Sequence, residues 1–70
     1  QYQKAIEYYQ KAIQLDPNEA IAYTGLGLVY KNLGEYKLAK ENFLKAKELF
    51  QKQGDYQNFQ LADEELKKLP

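Results

Sequence analysis

The chain carries two copies of one pattern, offset by thirty-four residues. At that shift Tyr2 falls on Tyr36, Ala5 on Ala39, Glu7 on Glu41, Tyr9 on Phe43, Lys11 on Lys45, Ala12 on Ala46 and Leu15 on Leu49. A fixed period of a few tens of residues is the signature of a repeat array. One unit of such an array cannot bury its own apolar face, so it stacks on a neighbour and leaves a continuous groove. The period therefore points to a surface that binds another protein. It does not say which.

Within the copies, the steps between apolar residues are helical. Tyr2, Ala5, Ile6, Tyr9, Ala12 and Ile13 follow one another at three, one, three, three and one, a broad stripe that predicts a helix over residues 2–15. Lys4, Glu7, Lys11 and Gln14 fall on its other faces, and Glu7 stands four residues before Lys11, a favourable pairing. Asp16-Pro17-Asn18-Glu19 reads as a restart, with Asp16 as N-cap, Pro17 at the first helical position and Glu19 as the capping acid. This predicts a second helix over 17–33, ended by Gly34 in the left-handed conformation. Gly25 and Gly27 lie inside it, each costing roughly 1 kcal/mol of helix propensity relative to Ala. A third helix is predicted over 35–53 with a core stripe of Tyr36, Ala39, Phe43, Ala46 and Phe50. Lys40 and Lys47 replace Ile6 and Ile13 there, so that flank is expected to face water. Gly54-Asp55 ends this helix and caps a fourth, predicted over 55–69, in which Phe59, Ala62, Leu66 and Leu69 recur at three, four and three. Shifted by thirty-six, these four overlie Tyr23, Leu26, Tyr30 and Leu33. Asp63 stands where Gly27 stood, and with Glu64, Glu65, Lys67 and Lys68 it makes the other face polar, as a capping helix requires. Tyr23, Leu26, Tyr30, Ala39, Phe43 and Ala46 are expected to share one buried cluster.

The run Tyr23-x2-Leu26-Gly27-x2-Tyr30, followed by Gly34-Glu35-Tyr36, Ala39, Phe43 and Ala46, resembles the tetratricopeptide repeat family. The preceding copy adds Tyr2, Ala5, Tyr9, Ala12 and the close Leu15-Asp16-Pro17-Asn18. Two departures stand out: Tyr23 replaces the family's frequent Trp, and Gln51 replaces its Pro. The resemblance implies an all-α, helix–turn–helix α-solenoid fragment of four antiparallel helices. It would form a single domain over 1–70, with 1–19 the second half of a truncated repeat, 20–53 a complete repeat and 54–70 the capping helix. It also implies that Gly27 lets two helices approach closely. Gly25 has no counterpart in the pattern and is read as a weak spot in preference to a second close approach. In the family the first helix of each repeat lines the groove. Carried over, this places Ile21, Thr24, Leu28, Lys31 and Asn32 in the groove, and their spacing independently sets them on one face, away from Tyr23, Leu26 and Tyr30. Chaperone-binding members grip a terminal carboxylate with Lys and Asn, plus a nearby Arg, at positions held here by Thr24 and Leu28. No carboxylate clamp is expected; Ile21 and Leu28 suit an apolar helix or an extended segment.

Composition narrows the remaining classes. With seventy residues and neither Cys nor His, the chain has no disulfide and lacks the usual metal ligands and general base. Ten Lys balance ten acids and there is no Arg, which argues against nucleic acid as a partner. The longest run free of charge and Pro is Ala20 to Tyr30, eleven residues, against the roughly twenty a membrane span needs. No signal peptide is visible, and a start at Gln in mid-repeat leads us to expect a piece of a longer protein. Adjacent helical residues point about 100° apart, so Asp63, Glu64 and Glu65 do not converge and are expected to form a solvated face. Gly25-x-Gly27 is no phosphate loop, because it lies in a helix with no strand before it. No nucleophile–base pair is present, so neither an enzyme nor a cofactor is expected. The expected function is a non-catalytic module that binds a protein or peptide. The rival reading is a self-assembling structural unit: Tyr2, Ile6, Tyr9 and Ile13 would lack cover on one side of helix one and drive a symmetric homodimer. Tyr8 falls off the stripe and is expected to be exposed.

Overall fold

Two glycines set the path of the chain. In the computed structural model, which describes residues 1–70, the helices are α1 (Tyr2–Leu15), α2 (Ala20–Asn32), α3 (Tyr36–Lys52) and α4 (Tyr56–Lys67). Gly34 and Gly54 take φ of +79° and +72° after α2 and α3. Around Gly34, its N–H donates to the Lys31 carbonyl and the Glu35 N–H donates to the Tyr30 carbonyl. Gly54 and Asp55 repeat this arrangement onto Gln51 and Phe50. Both turns are thus closed by the backbone alone, in the pattern that ends helices at a left-handed glycine. Asp55 then caps α4: its Oδ1 accepts from the Asn58 N–H at 3.2 Å, and its Oδ2 accepts from Asn58 Nδ2 at 2.8 Å.

The restart before α2 differs from its sequence reading. Asp16 is the C-cap of α1, and its Oδ1 accepts from the Asn18 N–H two residues on. That local bond uses the carboxylate in a turn, so α2 begins only at Ala20, with Glu19 as an N-cap that makes no side-chain bond. Gln53 at the end of α3 donates to the Asn18 carbonyl at 2.8 Å and holds this turn against the next one.

The helices stack in sequence order, α1 on α2, α2 on α3 and α3 on α4, in a slab of 31 × 31 × 15 Å. The core is divided where a single cluster was expected. Ala20, Ala46, Leu49, Phe50 and Ala62 pack together with Tyr23 and Phe59. Ile6, Leu26 and Val29 pack separately with Ala5, Tyr9, Ile13 and Tyr30. The division follows from α2 lying between two neighbours, so that Tyr23 and Tyr30 serve different cores. α3 is likewise covered from two sides. Leu49, outside the expected stripe, is therefore buried, while Tyr36 at the open start of the helix is exposed.

The same neighbour relation corrects the reading of α1. Ile6 is only 8% exposed, because it packs on Leu26 and Val29 of α2. Tyr9 and Ile13 are partly covered by the same helix, and of the four residues expected to lack cover only Tyr2 is exposed. Gly25 is corrected too. A Cβ there would lie 2.6 Å from Tyr9 Cε1, so this glycine is a second close approach and not a weak spot. Gly27 behaves as expected: a Cβ would lie 2.6 Å from Phe43 Cε1.

Candidate protein-binding surface

α2 is buried around most of its circumference and open along one strip. At about 100° per residue, Ile21, Leu28 and Asn32 fall on one line, with Thr24 and Lys31 on the line beside it. Toward α1 the strip is bounded by Gly25, Ala22 and Val29, and toward α3 by Gly27 and Ala20, all buried. Ile21 is 63% and Leu28 39% exposed, so the strip shows water two large apolar side chains. The Thr24 hydroxyl donates to the Ala20 carbonyl at 3.1 Å, which spends its one donor within the helix and leaves it only an acceptor for a ligand. Asn32 is exposed.

Lys31 is engaged already. Its Nζ meets Glu65 Oε1 of α4 at 3.0 Å, with both side chains partly buried, so it forms a bridge from α2 to α4. The five residues of the carried-over groove therefore divide. Ile21 borders α1, Lys31 reaches α4, Thr24 and Leu28 lie between them, and Asn32 stands at the C-terminal end of the strip. With Lys31 paired to a carboxylate and no Arg in the chain, the strip offers no free cation for a terminal carboxylate.

The acidic run of α4 is not simply a solvated face. Glu64 is exposed, but Asp63 and Glu65 turn inward. Lys47 Nζ meets Asp63 Oδ1 at 2.8 Å and stands 5.2 Å from the centroid of the Phe59 ring. Lys67 reaches Asp63 Oδ2 at 3.1 Å. Lys47 thus does not face water as Lys40 does; its stem and charge fasten α4 to α3. Periodicity within one helix carries no signal for this pairing, since the partners lie sixteen residues apart on different helices.

These pairs give the α4 contact a pH dependence. Hydrogen bonds from Lys47 and then Lys67 hold the Asp63 carboxyl below its ordinary range, and a hydrogen bond from Lys31 does the same for Glu65. A carboxylate whose pKa is lowered on folding stabilises the fold above its unfolded pKa and loses that contribution as pH falls through the folded value. Thermal melts followed by circular dichroism are therefore expected to hold from neutrality down to about pH 5 and to shift downward below about pH 4. In the double variant Asp63→Asn/Glu65→Gln that acid-induced shift should shrink. An equal shift in both proteins would show that other carboxylates carry it.

No helix of the chain is long and apolar enough to cross a membrane. The architecture is that of a helical-hairpin repeat, in which each helix packs on its sequence neighbours and one face of a first helix stays open. A family description, "TPR repeat", matches residues 1–34, and a second, "Tetratricopeptide repeat", matches residues 20–53. The chain belongs to the tetratricopeptide repeat family. Such repeats are generally protein–protein interaction modules and typically non-catalytic.

Proposed function

We propose that the chain binds a segment of another protein, an apolar helix or an extended stretch, along the open strip of α2. Thr24 and Leu28 would form its floor, with Ile21 at one end and Lys31 and Asn32 at the other. The carrying observation is the exposure of Ile21 and Leu28 on a helix whose other faces are buried. An exposed apolar side chain in isolation is ordinary. Two of them, on one line between the buried faces turned to α1 and α3, make a track whose burial would favour an apolar partner. On this reading residues 54–70 form an incomplete cap: α4 turns Phe59 and Ala62 inward and shows water Gln57, Gln60 and Glu64, with Tyr56 and Leu61 exposed beside them.

The test uses peptides selected by the wild-type chain from a displayed library of apolar helical and extended segments. Leu28→Glu would place a carboxylate in the contact and should weaken the selected peptides by roughly a hundredfold, with helicity unchanged. Lys40→Ala, on the exposed side of α3, should leave affinity within about twofold. Equal losses from the two changes would move the site off α2.

A further inference from the structure

We infer that the ligand of the α2 strip is a basic amphipathic segment, held in the seam between α2 and α4 with its apolar side chains on Leu28 and Leu61 and a Lys or Arg on Glu64. The inference rests on the reading of the strip given above and adds which ligands the strip admits.

The open apolar surface continues from α2 onto α4. Lys31 and Glu65 meet at 3.0 Å and set the last turns of the two helices side by side. Leu28 stands about one turn before Lys31, and Leu61 one turn before Glu65. At about 100° per residue, Leu61 lies about 40° from Glu65, on the edge of α4 turned toward α2, and well away from Phe59, which packs into the core. Leu61 is 53% exposed. Leu28 and Leu61 therefore border one seam from its two sides, with Ile21 about two turns before Leu28. The Lys31–Glu65 pair closes the seam at its far end.

The charges around the seam select the ligand. α3 carries five Lys against two acids, whereas α4 carries three acids against one Lys. The four lysines that make no ion pair, Lys4, Lys11, Lys37 and Lys40, all stand on α1 and α3. Those on the α2 and α4 side are taken, Lys31 and Lys68 by Glu65 and Lys67 by Asp63. Glu64, three residues after Leu61, is exposed and makes no ion pair. The free charge beside the two leucines is therefore negative. It favours a segment with a cation next to its apolar anchors and repels one with a carboxylate there.

A second copy of this chain does not supply such a segment. Its basic helix is α3, but Leu38 and Leu44 lie about 120° apart on it with Glu41 between them. They form no single apolar line, and Glu41 would meet Glu64.

Two synthetic amphipathic helical peptides are the probes, each titrated into the isotope-labelled full chain. They share the same leucines and differ only at their charged positions, Lys in one and Glu in the other. The Lys peptide is expected to shift the Leu28, Leu61 and Glu64 amides. It should bind about fivefold more tightly than the Glu peptide, by a margin that narrows at high salt. In Glu64→Gln the two peptides should bind within about twofold of each other. Leu61→Ser should weaken both about tenfold at unchanged helicity. If Leu28→Ser weakens both peptides while Leu61→Ser and Glu64→Gln change nothing, the strip stands and the basic ligand in the seam is refuted. If Leu28→Ser also leaves binding unchanged, the strip itself falls and this inference with it. Binding of neither peptide would show that the seam does not read a basic amphipathic segment. Sedimentation showing that the chain alone associates through Leu28 and Leu61 would assign the seam to a second copy and overturn the proposal.

Discussion

Phe43→Ala is expected to unfold the chain. Phe43 is the largest fully buried side chain, and its ring lies against Gly27. Truncating a buried Phe costs about 3–5 kcal/mol, the lost transfer energy plus the cavity left behind. A domain this small draws no more than about 3–5 kcal/mol from its core, and the chain has no disulfide to add to it. Circular dichroism at 25 °C should show the loss of most helicity and of the cooperative melt. Tyr8→Ala, at an exposed aromatic of α1, should melt with the parent, within about 0.5 kcal/mol. If the Phe43 variant melts where the parent does, Phe43 is not the centre of the α2–α3 contact.

The two glycines of α2 should part company when each is changed to Ala. Helix propensity favours both changes by roughly 1 kcal/mol. Both new methyl groups would meet an aromatic ring, Tyr9 from Gly25 and Phe43 from Gly27. The rings differ in freedom. Tyr9 is partly exposed and borders an open cleft between α1 and the start of α2, so it has room to turn; Phe43 has none. Gly25→Ala is therefore expected to be close to neutral, whereas in Gly27→Ala the overpacking of about 1–3 kcal/mol outweighs the helical gain. Urea melts of the two variants measure the difference. The reverse order would mean that the Phe43 ring yields and the Tyr9 ring does not.

Most of the fold is legible in the residues because it rests on local rules. The apolar steps of α1, α3 and α4, the glycines after α2 and α3, and the Asp55 cap each act within one turn of chain. What escapes the sequence depends on neighbours. Asp16 could serve as N-cap or close a turn onto Asn18, and nothing local decides between them. Tyr36 sits on the stripe of α3 yet stays exposed, because it is the first residue of the helix, beside the turn at Gly34; Ala39, three residues on, is already buried. Gly25 follows no family pattern, and its reason lies in Tyr9, sixteen residues earlier. The strip on α2 was legible as a face; the capture of Lys31 by Glu65, thirty-four residues away, was not. The ion pairs of Asp63 and Glu65 escaped for the same reason, since opposite charges on different helices leave no periodic trace.

The division of the core on either side of α2 has a mechanical consequence. Each helix rests chiefly on its neighbours in sequence, α4 reaches back to α2 through Glu65 and Ala62, and α1 and α4 share no core cluster. A load applied at α1 and α4 is therefore borne by one contact after another along the stack. The terminal helices peel away singly, and the chain yields in small increments where a protein built around one core would rupture at once. Repeat proteins distribute their stability in this nearest-neighbour way. Here it makes the molecule a compliant spring, whose stiffness is set by the weakest of its helix-to-helix joints.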